Sequence, residues 1–406
     1  MKPLRFLKSL SYAIAGLTLL LQGCASAPAR LNAVPVEATM KAQIPGMPGV
    51  RFFQPEDTAE VLREATLAFT KELKAREAAG AKGSLPPARY LALSGGGDDG
   101  AYGAGILCGW TAAGDRPEFK LVTGISTGAM IAPFAFLGPK YDGLLRKYYT
   151  GIGPADVLEK RGVISGLLSD AFADNAPLKR LVRNTITPDL LKEIAGEYAK
   201  GRLLFIATSN LDARRPVIWN MTKIAASGAP GSLELFQDLI VASAAIPGAF
   251  PPTMIDVEVD GRRYQEMHVD GGAFAEVFVY PVGIRVNEEG VAAGAVRERA
   301  GYIIRNTKLA PTWSEVERST LTILQRAINI LIQMQGIGDL YRIYAVMQRD
   351  KVDFNFTYIP GDFNVPHREE FDTEYMRALF DLGYGRGAKG HFWEQLPPGM
   401  DAKALR

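Results

Sequence analysis

Apolar residues follow two rhythms along this chain. From Asp57 to Ala78, Val61, Leu62, Ala65, Ala68, Phe69 and Leu73 recur at three- and four-residue steps with Glu, Lys and Arg opposite. That period predicts an amphipathic helix, which the following "GAKGSLPP" breaks. The runs "ARYLALS", "FKLVTGIS" and "GRLLFIATSNL" are short, apolar and closed by turn residues, and they predict strands. "GAGILCGWTAA" and "TGAMIAPFAFLG" follow the first two as helices. "LIVASAAIPGAFPP" reads as a helix ending in a proline-rich turn, and "YQEMHVDGG" as a strand entering a turn. Strands alternating with helices predict an α/β layer fold on a mostly parallel sheet.

Beyond Arg305 the rhythm lengthens. "WSEVERSTLTILQRAINILIQMQ" has a helical period with a broad apolar face, continued by "YRIYAVMQRD". Its stripe of Leu321, Leu324, Ile328, Leu331 and Ile332 is assigned to the core, with a membrane-contacting surface as the alternative. "VDFNFTYIP" alternates like a strand, and "EYMRALFDLGYGRGAKG" closes as a helix with glycines past its end.

At 406 residues and 47% hydrophobic, the chain has material for a large core, in one large domain or two ordinary ones. It shows no 20-to-50-residue repeat.

Two glycine motifs carry candidate chemistry. Gly95, Gly97 and Gly100 spell the spacing of a dinucleotide-binding turn. Asp98 and Asp99 lie inside it, however, and would repel a pyrophosphate. The ribose-binding acid expected about 20 residues on is poorly placed, because Asp115 sits in a loop. Gly124-Ile125-Ser126-Thr127-Gly128 is G-x-S-x-G between a predicted strand and helix, the context of a nucleophile elbow. There the Ser126 hydroxyl stands at a helix N-terminus, where negative charge is favoured. Such a serine needs backbone N–H donors for an oxyanion, and Gly95-Gly96-Gly97 supplies a turn open enough to give them. Asp98 and Asp99 read as a charge pair at a helix start. Gly100, Gly103 and Gly105 read as room for that helix to approach the sheet.

The serine also needs a base. His367 and His391 sit in polar, C-terminal contexts, whereas Asp270 lies at a predicted strand end in a glycine turn, with His268 two residues before it.

"SGGGDDG", "GISTG", "ASAAIPGAFPP" and "DGG" occur in the order and at roughly the spacing of the patatin-like phospholipases, so residues 88–280 resemble that family. The resemblance implies a three-layer α/β/α fold, a Ser-Asp dyad without histidine, and hydrolysis of lipid acyl esters through an acyl-enzyme. Carried over, Ser126 is the nucleophile, Asp270 its base, and Gly95, Gly96 and Gly97 line the oxyanion hole, with His268 the rival base. Asp99 stands where the family often has Arg or Lys. The expected substrate is therefore an acyl ester in general rather than a phospholipid in particular. A non-catalytic envelope lipoprotein that retains the fold is the alternative function, and a nucleotide-binding oxidoreductase a remoter one.

The N-terminus bears on location. Lys2, Arg5 and Lys8 precede a short apolar run that ends in Leu21-Gln22-Gly23-Cys24, the plan of a secretory signal. "LQGC" resembles the lipobox of bacterial lipoproteins, which implies cleavage before Cys24 and lipid on its sulfur. Ala25 then implies sorting to the outer membrane, facing the periplasm. Removing residues 1–23 takes the formal charge from +2 to −1, which leaves no basic surplus to draw nucleic acid. Cys108 becomes the only free cysteine and packs as a small apolar residue. No Cys/His cluster has metal-ligand spacing, so neither metal nor cofactor is expected. The partners expected are a lipid or acyl-ester substrate and a membrane. The expected organisation is a signal peptide at 1–23, a tether at 24–50, a helical extension at 51–87, the catalytic domain at 88–305, and a C-terminal helical extension packed on it at 306–406.

Overall fold

The computed structural model describes residues 30–160, 170–311, 313, 315–390 and 392–400. The signal segment, Cys24 and His391 lie outside the described residues.

Along the chain, β1 (Arg51–Phe53) leads to α1 (Thr58–Ala78), β2 (Ala88–Leu93), α2 (Gly100–Ala113), β3 (Leu121–Gly124), α3 (Thr127–Leu137) and α4 (Asp142–Gly151). A small antiparallel ribbon of β4 (Glu159–Lys160) and β5 (Ala173–Asp174) precedes α5 (Ala176–Thr185), β6 (Leu203–Asn210), β7 (Arg215–Asn220) and α6 (Ser232–Ser243). Strands β8 (Thr253–Val259), β9 (Arg262–Asp270) and β10 (Arg299–Lys308), helix α7 (Thr320–Arg349), strand β11 (Asp353–Ile359) and helix α8 (Thr373–Lys389) complete the chain.

The sheet runs β1-β7-β6-β3-β2-β10-β11. Its centre, β6-β3-β2-β10-β11, is parallel throughout, while β1, β7 and β9 join antiparallel. Successive side chains point to opposite faces of a strand. Leu91 and Leu93 of β2, with Leu204 and Ile206 of β6, therefore pack on one side against Ile106, Ile131, Ile240 and Leu379 of α2, α3, α6 and α8. Ala92 and Phe205 face the other side, against Val61 and Ala68 of α1 and Leu340 and Met347 of α7. The result is the mixed α/β architecture of a patatin-like three-layer fold.

Five sequence expectations change here. Residues 30–50 are not a free tether. Ala42, Ile44, Met47 and Val50 are buried, Gln43 bridges to Glu258, and Arg30 pairs with Asp212. Four apolar side chains suffice to fix a segment whose Ala/Pro-rich composition resembles a linker. The extension at 51–87 is not purely helical, because β1 hydrogen-bonds β7 as an outer strand of the sheet.

The boundary at 305/306 falls inside β10, and the C-terminal region adds β11 to the sheet and α8 to a layer. Gly105 and Gly109 of α2 lie against the backbone of α8 rather than the sheet. A Cβ there would stand 2.2 Å from the carbonyl oxygens of Phe380 and Tyr384. Finally, the stripe of α7 is not core. Leu324 and Leu331 are exposed and Ile328 and Ile332 half-buried, while the Leu321 side chain lies outside the described residues.

Candidate active site

The parallel strands end side by side, and the candidate residues gather at that edge. Ser126 is separated from β3 by one residue, with φ 55° and ψ −126°, a conformation costly for a residue with a Cβ. Close packing holds it there. A Cβ at Gly124 would lie 2.4 Å from the Gly128 carbonyl oxygen, and one at Gly128 2.3 Å from that of Leu93. Both flanking glycines of the motif are thus fixed by backbone contact. The Ser126 N–H donates to Ser243 Oγ at 3.1 Å, and Ser243 Oγ donates to the Ala207 carbonyl at 2.8 Å.

Asp270 reaches the serine through strand register. Residues 203–206 of β6 pair with β3, and residues 208–210 pair with β9 running the opposite way. Strand β9 therefore occupies the lane that β3 leaves empty beyond Gly124, and the two strands end facing each other. Asp270 is 4% exposed, accepts the Gly272 N–H at 2.7 Å, and lies near enough to Ser126 for the serine hydroxyl to act on its carboxyl. Burial pushes its carboxyl up to about 7, against the pull of the Ser126 hydroxyl and the Gly272 N–H.

The three glycines after β2 divide their tasks. The Gly95 N–H donates to the Glu276 carbonyl at 3.0 Å, and a Cβ on Gly95 would touch that of Ser126 at 3.2 Å. Gly95 lines the site with its Cα, but its amide is already occupied. The Gly96 and Gly97 N–H groups have no acceptor among the described residues. Gly97 has open space beside it and lines an apolar pocket with Ser126. Met130, Phe134, Val182, Ile240 and Phe250 form walls of that pocket.

His268 is brought close in sequence but not in chemistry. It is fully buried, with Nδ1 bonded to Thr208 Oγ1 at 2.8 Å, Nε2 to Glu266 Oε2 at 3.1 Å, and its ring against Trp219. Burial lowers its pKa. With both nitrogens engaged, it braces β9. His367 accompanies the glycine turn instead, with Nε2 at 2.7 Å from Asp98 Oδ2. The Phe371 N–H donates to the same oxygen at 2.8 Å, and the Tyr375 hydroxyl donates to Asp99 at 2.5 Å. Burial pushes the Asp99 carboxyl up to about 7. Asp98 and Asp99 therefore tie the 367–375 segment to the glycine turn, a role beyond a charge pair at a helix start.

Residues that sequence reasoning missed also position the site. Asn306 of β10 donates its N–H to Ser94 Oγ at 2.7 Å and its Nδ2 to the Ser94 carbonyl at 2.9 Å, and its Oδ1 accepts from Gly103 N at 3.0 Å. It fixes the glycine turn between β2 and α2. Glu276, whose carbonyl holds Gly95, is held in turn by Arg305 and Thr307. No local pattern marks either residue. Among the described residues, no cluster of His, Cys, Asp or Glu could hold a metal ion.

A strained serine facing a buried carboxyl beside free glycine amides, on a three-layer α/β/α sheet, sets the class of protein. Residues 91–282 match the family model described as patatin-like phospholipase, and this part of the chain is a patatin-like phospholipase domain. The family implies lipid acyl hydrolase activity. Among solved structures, VipD from Legionella pneumophila aligns over 76% of this chain and 67% of its own at 13% identity, with a TM-score of 0.36, a likeness on which nothing further rests. No curated protein matches the chain.

Proposed function

We propose that the protein is a serine acyl hydrolase that cleaves lipid acyl esters through a Ser126–Asp270 dyad and an acyl-enzyme. The observation that carries this reading is a strained Ser126 and a buried Asp270 brought together at the facing ends of β3 and β9, close enough for the serine hydroxyl to pull the Asp270 pKa down. Asp270 takes the proton of Ser126 as the serine oxygen attacks the ester carbonyl. The Gly96 and Gly97 N–H groups receive the oxyanion. The alcohol leaves with a proton returned from Asp270, and water then attacks the acyl-serine by the same route in reverse. A carboxyl pushed up to about 7 by burial is matched to proton transfer near neutral pH. The apolar pocket beside Ser126 suits an acyl chain. Lipid on Cys24 would hold the enzyme on the outer membrane, within reach of such substrates.

Treatment of the chain from Ala25 onward with a fluorophosphonate ester tests the reading by intact mass. One adduct on the wild type and none on Ser126→Ala is the expected result. Equal labelling of both, or none on the wild type with or without detergent micelles, overturns it.

A further inference from the structure

The first half of α7 is amphipathic in the opposite sense to a buried helix. Ile323, Leu324, Ile330, Leu331 and Met334 are 53%, 56%, 51%, 68% and 60% exposed. At 100° per residue they fall, with Ala327, on one stripe about 120° wide. Thr322, Asn329 and Gln333 lie across the helix from that stripe. Trp313, just before the helix, is 88% exposed. Soluble surfaces rarely carry such a continuous apolar face without a partner.

The position of this arm in the fold is specific. Lower down the helix, Met347 lies against Gly301 of β10, and Leu340 and Ile343 are core. Three residues before the end of β10, Arg305 Nη2 donates to the Gln333 carbonyl, and a Cβ at Gly336 would meet Glu276. Residues 320–332 therefore run on for about 20 Å, at 1.5 Å per residue, beyond the level of Arg305 and towards the carboxyl ends of the parallel strands. That is the edge where Ser126 and the glycine turn lie.

The chain also enters the described fold at this edge. Arg30 forks onto Asp212, which follows the end of β6, at 3.0 and 2.8 Å. Cys24 is six residues before Arg30, so an anchor on its sulfur would lie within about 20 Å of it at full extension.

We propose that the stripe of α7 docks on a lipid bilayer, so that the membrane anchor, the apolar arm and the mouth of the active site meet one surface. The inference rests on the lipid-hydrolase reading for its purpose, though not for its test. Apolar side chains on one face with polar groups opposite are what an interfacial helix presents to acyl chains. Trp313 is suited to the headgroup boundary. Among the described residues no helix is long and apolar enough to cross a membrane, in keeping with an arm that lies on the surface.

The experiment uses the chain from Ala25 onward, which carries the whole described fold but no lipid, floated with phosphatidylcholine vesicles. The wild type is expected to float and to remain bound in high salt, because apolar burial rather than charge holds it. Leu324→Asp combined with Leu331→Asp is expected to weaken vesicle partition by at least about tenfold, with an unchanged melting temperature and unchanged turnover of a dissolved short-chain ester. Leu331→Asp alone is expected to give an intermediate loss. Flotation of the double variant like wild type overturns the proposal. So does a wild type that stays unbound, including one that is a dimer which Leu331→Asp makes monomeric. A Ser126→Ala protein that floats normally but hydrolyses nothing supports both readings. A wild type that floats but hydrolyses nothing fails the enzymatic reading and leaves the docking surface standing.

Discussion

Two carboxyls on the active-site edge share one electrostatic state and differ in everything else. Asp270 is buried and Asp99 half-buried, and desolvation pushes each up to about 7. Asp270 ends a strand and faces Ser126, a hydroxyl on a strained elbow that opens to an apolar pocket. Asp99 begins a helix and accepts from Tyr375, a phenol anchored in α8. A raised pKa therefore marks desolvation, and the partner decides what it is for. The hydroxyl of Ser126 can be turned into a nucleophile beside free amides. The Tyr375–Asp99 bond closes a wall.

The largest effect that would break this contrast is on turnover. Ser126→Ala should lower kcat/KM for ester hydrolysis by at least about 1,000-fold, and Asp270→Asn by about 100- to 10,000-fold. Asp99→Asn should stay within about fivefold of wild type, because its carboxyl touches neither the serine nor the amides. Steady-state hydrolysis of one dissolved ester by the three variants reads this directly. Equal losses in Asp270→Asn and Asp99→Asn would erase the distinction.

A second effect should be common to both acids. Each is raised in the folded state above its value of 3.8, so the folded protein holds the proton more tightly than the unfolded chain. Stability from that proton is fully present below about 4 and is lost as pH rises to about 7. A raise from 3.8 to about 7 corresponds to a loss on the order of 4 kcal/mol for a fully buried group. Asp270→Asn and Asp99→Asn should each melt higher than wild type at pH 8, with the gain shrinking towards pH 4. Thermal melts at the two pH values check it. A site stabilised by removal of its own acid has traded stability for function. Asp99→Asn gaining as much would mean that the wall carries the same cost without catalysis.

How much of this was legible in the sequence follows the same division. The elbow, the glycine turn and the strand end at Asp270 could be read because backbone contacts dictate them. Only glycine fits 2.3 Å from the Leu93 carbonyl, so the residue type itself is the signal. The Asp99–Tyr375 and Asp98–His367 bonds join residues more than 260 positions apart, and no local pattern can announce such a pair. The same holds for Asn306 on the Ser94 turn and for β11 beside β10. In α7 the period was read correctly and its partner wrongly. A 3.6-residue rhythm shows that an apolar face exists but not what it faces, and here the helix outruns the sheet that covers its second half. Gly95 was recognised, but its amide points to Glu276, a detail of the turn that composition does not carry.

The smallest and sharpest test separates the two acids in the wild-type protein, where they titrate in the same range. Below about 7 Asp270 is protonated and cannot accept the serine proton, so kcat/KM should fall about tenfold per pH unit and level off above 7. Asp99 loses its proton over the same interval, so the midpoint in the wild-type profile does not by itself name its owner. In Asp99→Asn the Asp99 titration is gone and that of Asp270 remains. The midpoint should persist near 7, because the Asp270 shift comes from burial and its own neighbours Ser126 and Gly272. A profile that flattens in Asp99→Asn would assign the titration to the wall and leave Asp270 ionised throughout. The base would then owe its strength to something other than burial. A midpoint that stays near 7 keeps proton transfer at the end of β9, where the register of β6 brings it to the serine.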